Sequence, residues 1–198
     1  MNWLKIYLPV YLLIYLCVAF VLPSWNVYRK TRINPVLFGT SDNAHDYIGR
    51  VMKGIIALLV IAVLMYSFQT GYKYLVPIVY MEKDSVRITG LALIHVSLVW
   101  VLIAQWQMSQ SWRIGIDETN KTELVTHGLF SISRNPIFLG LILTMAGMFL
   151  ILPNAMTFAL SVVTYLVIQI QIRLEEEFLE RQHGRVYLQY KQKARRLL

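Results

Sequence analysis

Apolar residues run through this chain in blocks too long for a soluble core, separated by short polar stretches. From Ile6 to Val27 no charged residue interrupts the sequence, long enough for a membrane-spanning helix, with Pro23 as its predicted end. Gly54 to Gln69 predicts a second span. The apolar patch Tyr74 to Met81 follows Gln69, Gly71 and Lys73, and reads either as an extension kinked at Pro77 or as an interfacial segment. Ile88 to Met108 predicts a third span, in which His95 is the ionisable group. The run from Ile137 to Ile172 holds no Asp, Glu, Lys or Arg over 36 residues. One helix of that length would reach about 54 Å, well beyond a hydrocarbon core of about 30 Å. Pro153-Asn154 lies near its centre, where Pro stops one helix and Asn caps the next. The pattern therefore predicts an all-α integral membrane protein of about five transmembrane helices, with a tight C-terminal helical hairpin and a cytosolic helical tail. Residues 1–109 hold the first three helices and a polar cytosolic loop at 24–50, and residues 110–198 form a second region.

Composition agrees. Of 198 residues, 57% are hydrophobic and 15% charged, with a mean hydropathy of +0.51, which excludes an ordinary soluble domain and a disordered chain. The net charge of +8 would suit nucleic acid or an anionic membrane surface. Hydropathy decides for the membrane and against a nucleic-acid partner. Cys17 stands alone, so the chain holds no disulfide framework. With the N-terminus outside, 15 of the 19 basic residues fall on the cytosolic side: Arg29, Lys30, Arg32, Arg50, Lys53, Arg113, Lys121, Arg134 and seven beyond the hairpin. Lys5, Lys73, Lys83 and Arg87 remain outside. This bias predicts a cytosolic C-terminus.

Two polar clusters flank the hairpin, Ser111 to Pro136 and Arg173 to Tyr190. A hairpin returns to the face it left, so both clusters meet there and Arg134 comes near Arg173 and Glu176. Asn135-Pro136 reads as a helix start, with Asn as N-cap and Pro in the first turn, and the positive end of such a helix favours an anion. Thr126-His127-Gly128 lets the backbone turn sharply beside a ligand. Arg173 is spaced to pair with Glu176 and Glu177. Tyr187 and Tyr190 either close over a ligand or anchor at the headgroups. His95, within a span, is a functional candidate or a histidine bonded between helices. Gln105, Gln107 and Gln110 mark the interfacial end of the third helix. Asn120-Lys121-Thr122 fits a glycosylation sequon but falls on the cytosolic side. No HExxH, CxxC, Walker loop or GxGxxG occurs, so no metal site is expected.

In order along the chain, SWRIGID, ELVTHGLFSISRNPIFLG, a hairpin turning at Pro-Asn, and RLEEEFLERQHGRVYLQY resemble the isoprenylcysteine carboxyl methyltransferase family, within the wider group that includes the phospholipid N-methyltransferases. The resemblance covers about Gln110 to Arg196. It implies a membrane methyltransferase that uses S-adenosylmethionine, held between the last two spans and the tail. Leu124, Val125, Thr126, His127 and Gly128 match the segment that contacts the cofactor. Arg134, Asn135 and Pro136 match an Arg-His-Pro motif, with Asn where His is usual. Glu175 and Glu176 match paired glutamates, preceded by Arg173, and Gly184, Tyr187 and Tyr190 match the closing tail, in which His183 replaces an aromatic residue. The expected roles are a carboxylate held by Arg134 and the helix start, and a cationic or hydroxyl group held by Glu176, itself fixed by Arg173. For an amine or thiol acceptor, His127 is the first candidate to take the proton. The expected acceptor is lipophilic, first of all a prenylated cysteine carboxylate, with a phospholipid amine or a thiol as the alternatives. An NADPH-dependent sterol-type reductase and a lipid-binding scaffold acting through Lys191 to Arg196 are the rival readings, and the sequence leaves the oligomeric state open.

Overall fold

The computed structural model describes residues 2–39, 42–69, 71–117, 120 and 123–198. The described residues form seven α-helices and no strands: α1 (Leu4–Leu16), α2 (Leu22–Thr31), α3 (Ala44–Ser67), α4 (Asp84–Met108), α5 (Pro136–Ile151), α6 (Ala155–His183) and α7 (Arg185–Lys193). The π-helical turn Cys17–Val21 joins α1 to α2, giving one helix of 28 residues, Leu4–Thr31. That helix, α3, α4 with its 3-10 extension to Ser111, and α6 are each long and apolar enough to cross a membrane, and α5 is a shorter apolar helix. The chain is a multi-pass membrane protein.

Pro23 does not end the first helix. A proline cannot donate to the carbonyl four residues back and normally breaks the ladder there. Here the π-helical turn widens the backbone just before it. The carbonyl that Pro23 leaves free, that of Ala19, accepts from the Gln105 side chain at 2.6 Å, and the Ser24 hydroxyl donates to Phe20 O at 2.6 Å. Side chains thus satisfy the backbone where lipid supplies no water. The predicted loop at 24–50 is accordingly shorter, because α2 runs to Thr31 and α3 begins at Ala44. Asn43 caps α3, accepting from Asp46 N at 2.7 Å, a start that the charged residues Arg50 and Lys53 mask in a hydropathy reading.

The hairpin forms as predicted. Asn154 caps α6 in a capping box with Thr157. The patch Tyr74 to Met81 is the interfacial segment rather than a helix extension: it folds as two 3-10 turns, Tyr72–Leu75 and Val79–Met81. It lies against the hairpin turn through Ile78 N–H to Pro153 O at 2.8 Å and Ala155 N–H to Val76 O at 3.1 Å. Helices α4 and α5 pack most closely. A Cβ on Gly90 would lie 2.7 Å from Gly147 O, and one on Gly147 would lie 2.6 Å from Ile94 Cγ2, so only glycine permits this approach. Ser97 and Thr144 bond across it at 2.8 Å.

Helix α1 is fastened to this pair by a tyrosine stripe. Tyr11 donates to Ile94 O at 2.7 Å and Tyr15 meets Thr144 at 3.2 Å. Tyr7 meets His95 Nε2, while His95 Nδ1 faces Leu91 O at 2.7 Å. His95 is therefore an interhelical hydrogen-bonding group, the second of its two expected roles.

Candidate active site at the Arg134–Glu176 face

Arg134 lies in the loop that enters α5, and its guanidinium is held from several sides. Nε and Nη2 donate to Glu176 Oε1 at 3.0 and 2.8 Å. Nη1 donates to the carbonyls of Lys191, in the last turn of α7, and Ala194, just beyond it. The backbone joins in: Arg134 N–H donates to Arg195 O at 2.7 Å, and Arg195 N–H donates to Ile132 O at 3.1 Å. Glu176 Oε2 accepts from Arg196 Nε and Nη2 at 3.1 and 2.8 Å. Three elements far apart in sequence are thereby clasped at one carboxylate, which is only 4% exposed. Burial alone would raise the Glu176 pKa, but hydrogen bonds from Arg196 and Arg134 outweigh it and hold the carboxyl below its usual range.

This arrangement corrects two expectations. Arg173 does not fix Glu176: it is exposed and donates to Gln169 Oε1 at 3.1 Å and to the Gln169 carbonyl, pointing back along α6, while Arg134 and Arg196 take the carboxylate. Asn135 occupies the N-cap position, yet its side chain makes no cap. Its Nδ2 donates to Arg196 O at 3.0 Å and to Glu176 Oε1 at 3.4 Å, which ties it to the clasp. Pro136 does open α5.

Tyr187 and Tyr190 are buried on α7 and pack with Leu124 and Leu179, so they anchor the tail inward rather than at headgroups. The Tyr190 hydroxyl donates to Phe130 O at 2.6 Å. Burial pushes the phenol pKa values up, that of Tyr190 to about 12. Gly128 opens a 3-10 turn at φ +61°, and a Cβ there would meet the Gln107 amide at 2.3 Å. Gln107 Oε1 accepts from Leu129 N–H at 2.9 Å. Gln105 and Gln107 are therefore not simple interfacial markers; each satisfies a backbone group of a neighbouring segment. Thr126 and His127 are exposed.

Two cavities meet beside the clasp. One, of about 80 Å³, is the more polar of the two, with Arg113, Asp117, Glu123, Arg134 and Glu175 among apolar residues such as Leu124, Val125 and Phe130. The second, of about 380 Å³, is mainly apolar and extends among α1, α3, α4, α5 and α6. It is lined by Phe20, Met52, Val101, Leu141 and Ile168, and also by Asn135 and Pro136. Arg134, Glu175, Phe130, Met108, Arg113 and Gly115 line both. The apolar part of α6 ends at Ile172, so Glu175 stands just past the membrane-spanning segment. Burial pushes its carboxyl up to about 7, with the Glu176 charge adding to the effect. Glu175 and Glu176 thus divide the work: one locks the tail, the other faces the cavities.

The wall over the cavities is built by the SWRIGID segment together with Pro35 to Leu37 and His45, which carried no signal in the sequence. Residues 35–37 pair with 114 through Leu37 N–H to Ile114 O at 2.9 Å and Ile114 N–H to Pro35 O at 2.8 Å. His45 Nε2 accepts from Ile116 N–H at 2.9 Å. Lys121 and Thr122 of the predicted sequon lie outside the described residues.

A profile of the phospholipid methyltransferase family matches residues 86–186, half of the chain, from the start of α4 into α7. The chain belongs to the phospholipid methyltransferase family. No curated protein matches it. The matched span contains Arg134, Glu175 and Glu176 but not α1–α3, Tyr190 or Arg196. The family identity supports a methyltransferase over the reductase and scaffold readings. Methyltransferases of this kind generally use S-adenosylmethionine, and the lining suits such a molecule: carboxylates at Glu123 and Glu175 for a cationic sulfonium, and aromatic rings at Phe130, Phe178 and Tyr190. This cavity alone is smaller than usual ligand sites of roughly 300–1,000 Å³, so a molecule of that size would extend beyond it.

Proposed function

We propose that this phospholipid methyltransferase family member transfers a methyl group from S-adenosylmethionine to a lipophilic acceptor drawn from the bilayer. The observation that carries the reading is the meeting, at Glu175, of a small cavity rich in charged side chains and a larger, mainly apolar one. A water-soluble donor and a lipid-borne acceptor need two such compartments, and methyl transfer chiefly requires that they be held in line at close approach. Bound S-adenosylmethionine supplies an electrophilic methyl on a sulfonium sulfur. Leu124, Val125, Glu175 and Tyr190, which line the smaller cavity, are the residues we assign to holding it. Thr126, His127, Gly128 and Tyr187 line neither cavity, and Asn135 and Pro136 line the larger one. Arg134 and Glu176, committed to each other and to the tail, act as positioning residues that keep α7 over the site. Arg173 has no part in that clasp.

Among acceptors, the position of Glu175 favours a phospholipid amine. An ionised carboxylate at the junction attracts an ammonium, and a group set near pH 7 is suited to receive the proton that the amine must lose before its lone pair can attack. Glu175 therefore replaces His127, which is exposed, as the first candidate base. A prenylated cysteine carboxylate is the second reading, supported by the order of motifs from Leu124 to Tyr190 and by a protonated Glu175 that would not repel it. The test is transfer of labelled methyl in vesicles containing phosphatidylethanolamine or a farnesylated cysteine. We expect label in the amine lipid and at least a hundredfold loss of kcat in Glu175→Gln. Failure to bind S-adenosylhomocysteine, with no label in either acceptor, would overturn the activity itself.

A further inference from the structure

The large apolar cavity contains a buried amide oxygen that has no hydrogen-bond partner among the described residues. Gln171 is 4% exposed, lines the cavity, and stands one helical turn before Glu175 on the same face of α6. Its Oε1 is buried with no hydrogen-bond partner among the described residues. Buried polar groups are normally paired, so each exception needs a cause. Gln105 lines the same cavity and also has an unpaired Oε1, but its Nε2 is fastened to Ala19 O, and its structural purpose is plain. Among the described residues the Gln171 side chain makes no such bond. Ligand sites are commonly apolar with a few polar groups that fix orientation, and an amide can serve as donor or acceptor.

We propose that Gln171 is the residue that orients the polar end of the lipid acceptor in the apolar cavity, its amide bonding the reacting headgroup one turn from Glu175. The proposal rests on the reading of this cavity as the acceptor site. It assigns the acceptor's recognition to a neutral amide and leaves Glu175 free to handle charge. A lipid that lacks a hydrogen-bonding head leaves Gln171 unpaired and is rejected.

The decisive variant is Gln171→Met, which keeps the volume and removes both hydrogen-bonding atoms. The full-length protein is assayed in phosphatidylcholine vesicles carrying phosphatidylethanolamine, with S-adenosylhomocysteine affinity and Tm measured on the same samples. We expect the acceptor KM to rise about tenfold, with kcat falling far less, the S-adenosylhomocysteine Kd unchanged, and Tm unchanged or raised because an unpaired polar group has left an apolar wall. Gln171→Asn, which keeps the amide but shortens its reach, should lie between the two. An unchanged acceptor KM in Gln171→Met overturns this proposal while the proposed activity stands. A lowered Tm with weaker binding of both ligands also overturns it, since that marks a structural residue. A wild-type protein that labels no acceptor overturns the proposed activity and this inference with it.

Discussion

Two adjacent glutamates face different surroundings, and stability should register the difference as a function of pH. Arginine donors depress the Glu176 pKa below its ordinary 4.5, so in acid the unfolded chain binds a proton at this position that the native chain does not. Stability therefore rises with pH up to about 4.5 and is lost as pH falls through the depressed native value. Burial raises Glu175 to about 7. Between 4.5 and 7 the native state keeps a proton that the unfolded chain has released, so this contribution is full below 4.5 and is lost as pH rises toward 7. We expect Tm in detergent to fall on both sides of mild acidity on account of these two groups. Glu175→Gln should flatten the neutral limb alone. Glu176→Gln should lower Tm from mild acidity upward, by the equivalent of roughly 3–5 kcal/mol, because it leaves the Arg134 charge buried without its counterion. The loss should be smaller in strong acid, where the wild-type carboxyl is itself neutral. A Glu176→Gln variant as stable as wild type would show that the clasp does not hold the tail.

At the scale of elements, the first helix contradicts a simple rule, and the contradiction is itself testable. Proline as a helix breaker is a statement about one missing N–H and one crowded carbonyl. The sequence reveals Pro23 but not the Gln105 amide that arrives from 86 residues away to occupy Ala19 O. Gln105→Leu should cost about 1–3 kcal/mol by leaving that carbonyl unpaired. In a Pro23→Ala background the backbone regains a donor, and the same substitution should cost markedly less. Equal costs in the two backgrounds, measured as a double-mutant cycle on unfolding, would show that Gln105 and Pro23 are uncoupled. The same reasoning explains which elements were legible. Hydropathy identifies α4 and the α5–α6 hairpin because lipid demands one unbroken apolar face, and the Asn154 cap is a local pattern. The beginning of α3 and the length of α2 were not legible, because charged residues continue a helix past the bilayer without any change in backbone.

For the molecule as a whole, the site was partly visible in sequence for a topological reason: a hairpin must bring its two flanking clusters to one face, and Arg134 and Glu176 do meet there. The partner of Arg173 was misassigned because helical spacing permits a pair that a stronger, distant partner then takes. Arg196 and Gln171 carried no local signal, since one acts through a tail that folds back and the other through the lack of any partner. The same topology defines two opposite faces. Val76 to Ile78 lies against the hairpin turn at Pro153-Asn154, while α7 and the tail lie at the other ends of α5 and α6 with Arg134. Basic residues crowd the second face, so it should be cytosolic. Cys17, the single cysteine, is replaced by Ser, and a new cysteine is introduced at Tyr80 or at Lys193, both exposed. A membrane-impermeant maleimide should label Tyr80→Cys in intact cells and Lys193→Cys only after permeabilisation. The reverse pattern would turn the protein over in the membrane, and with it the side from which the methyl donor arrives.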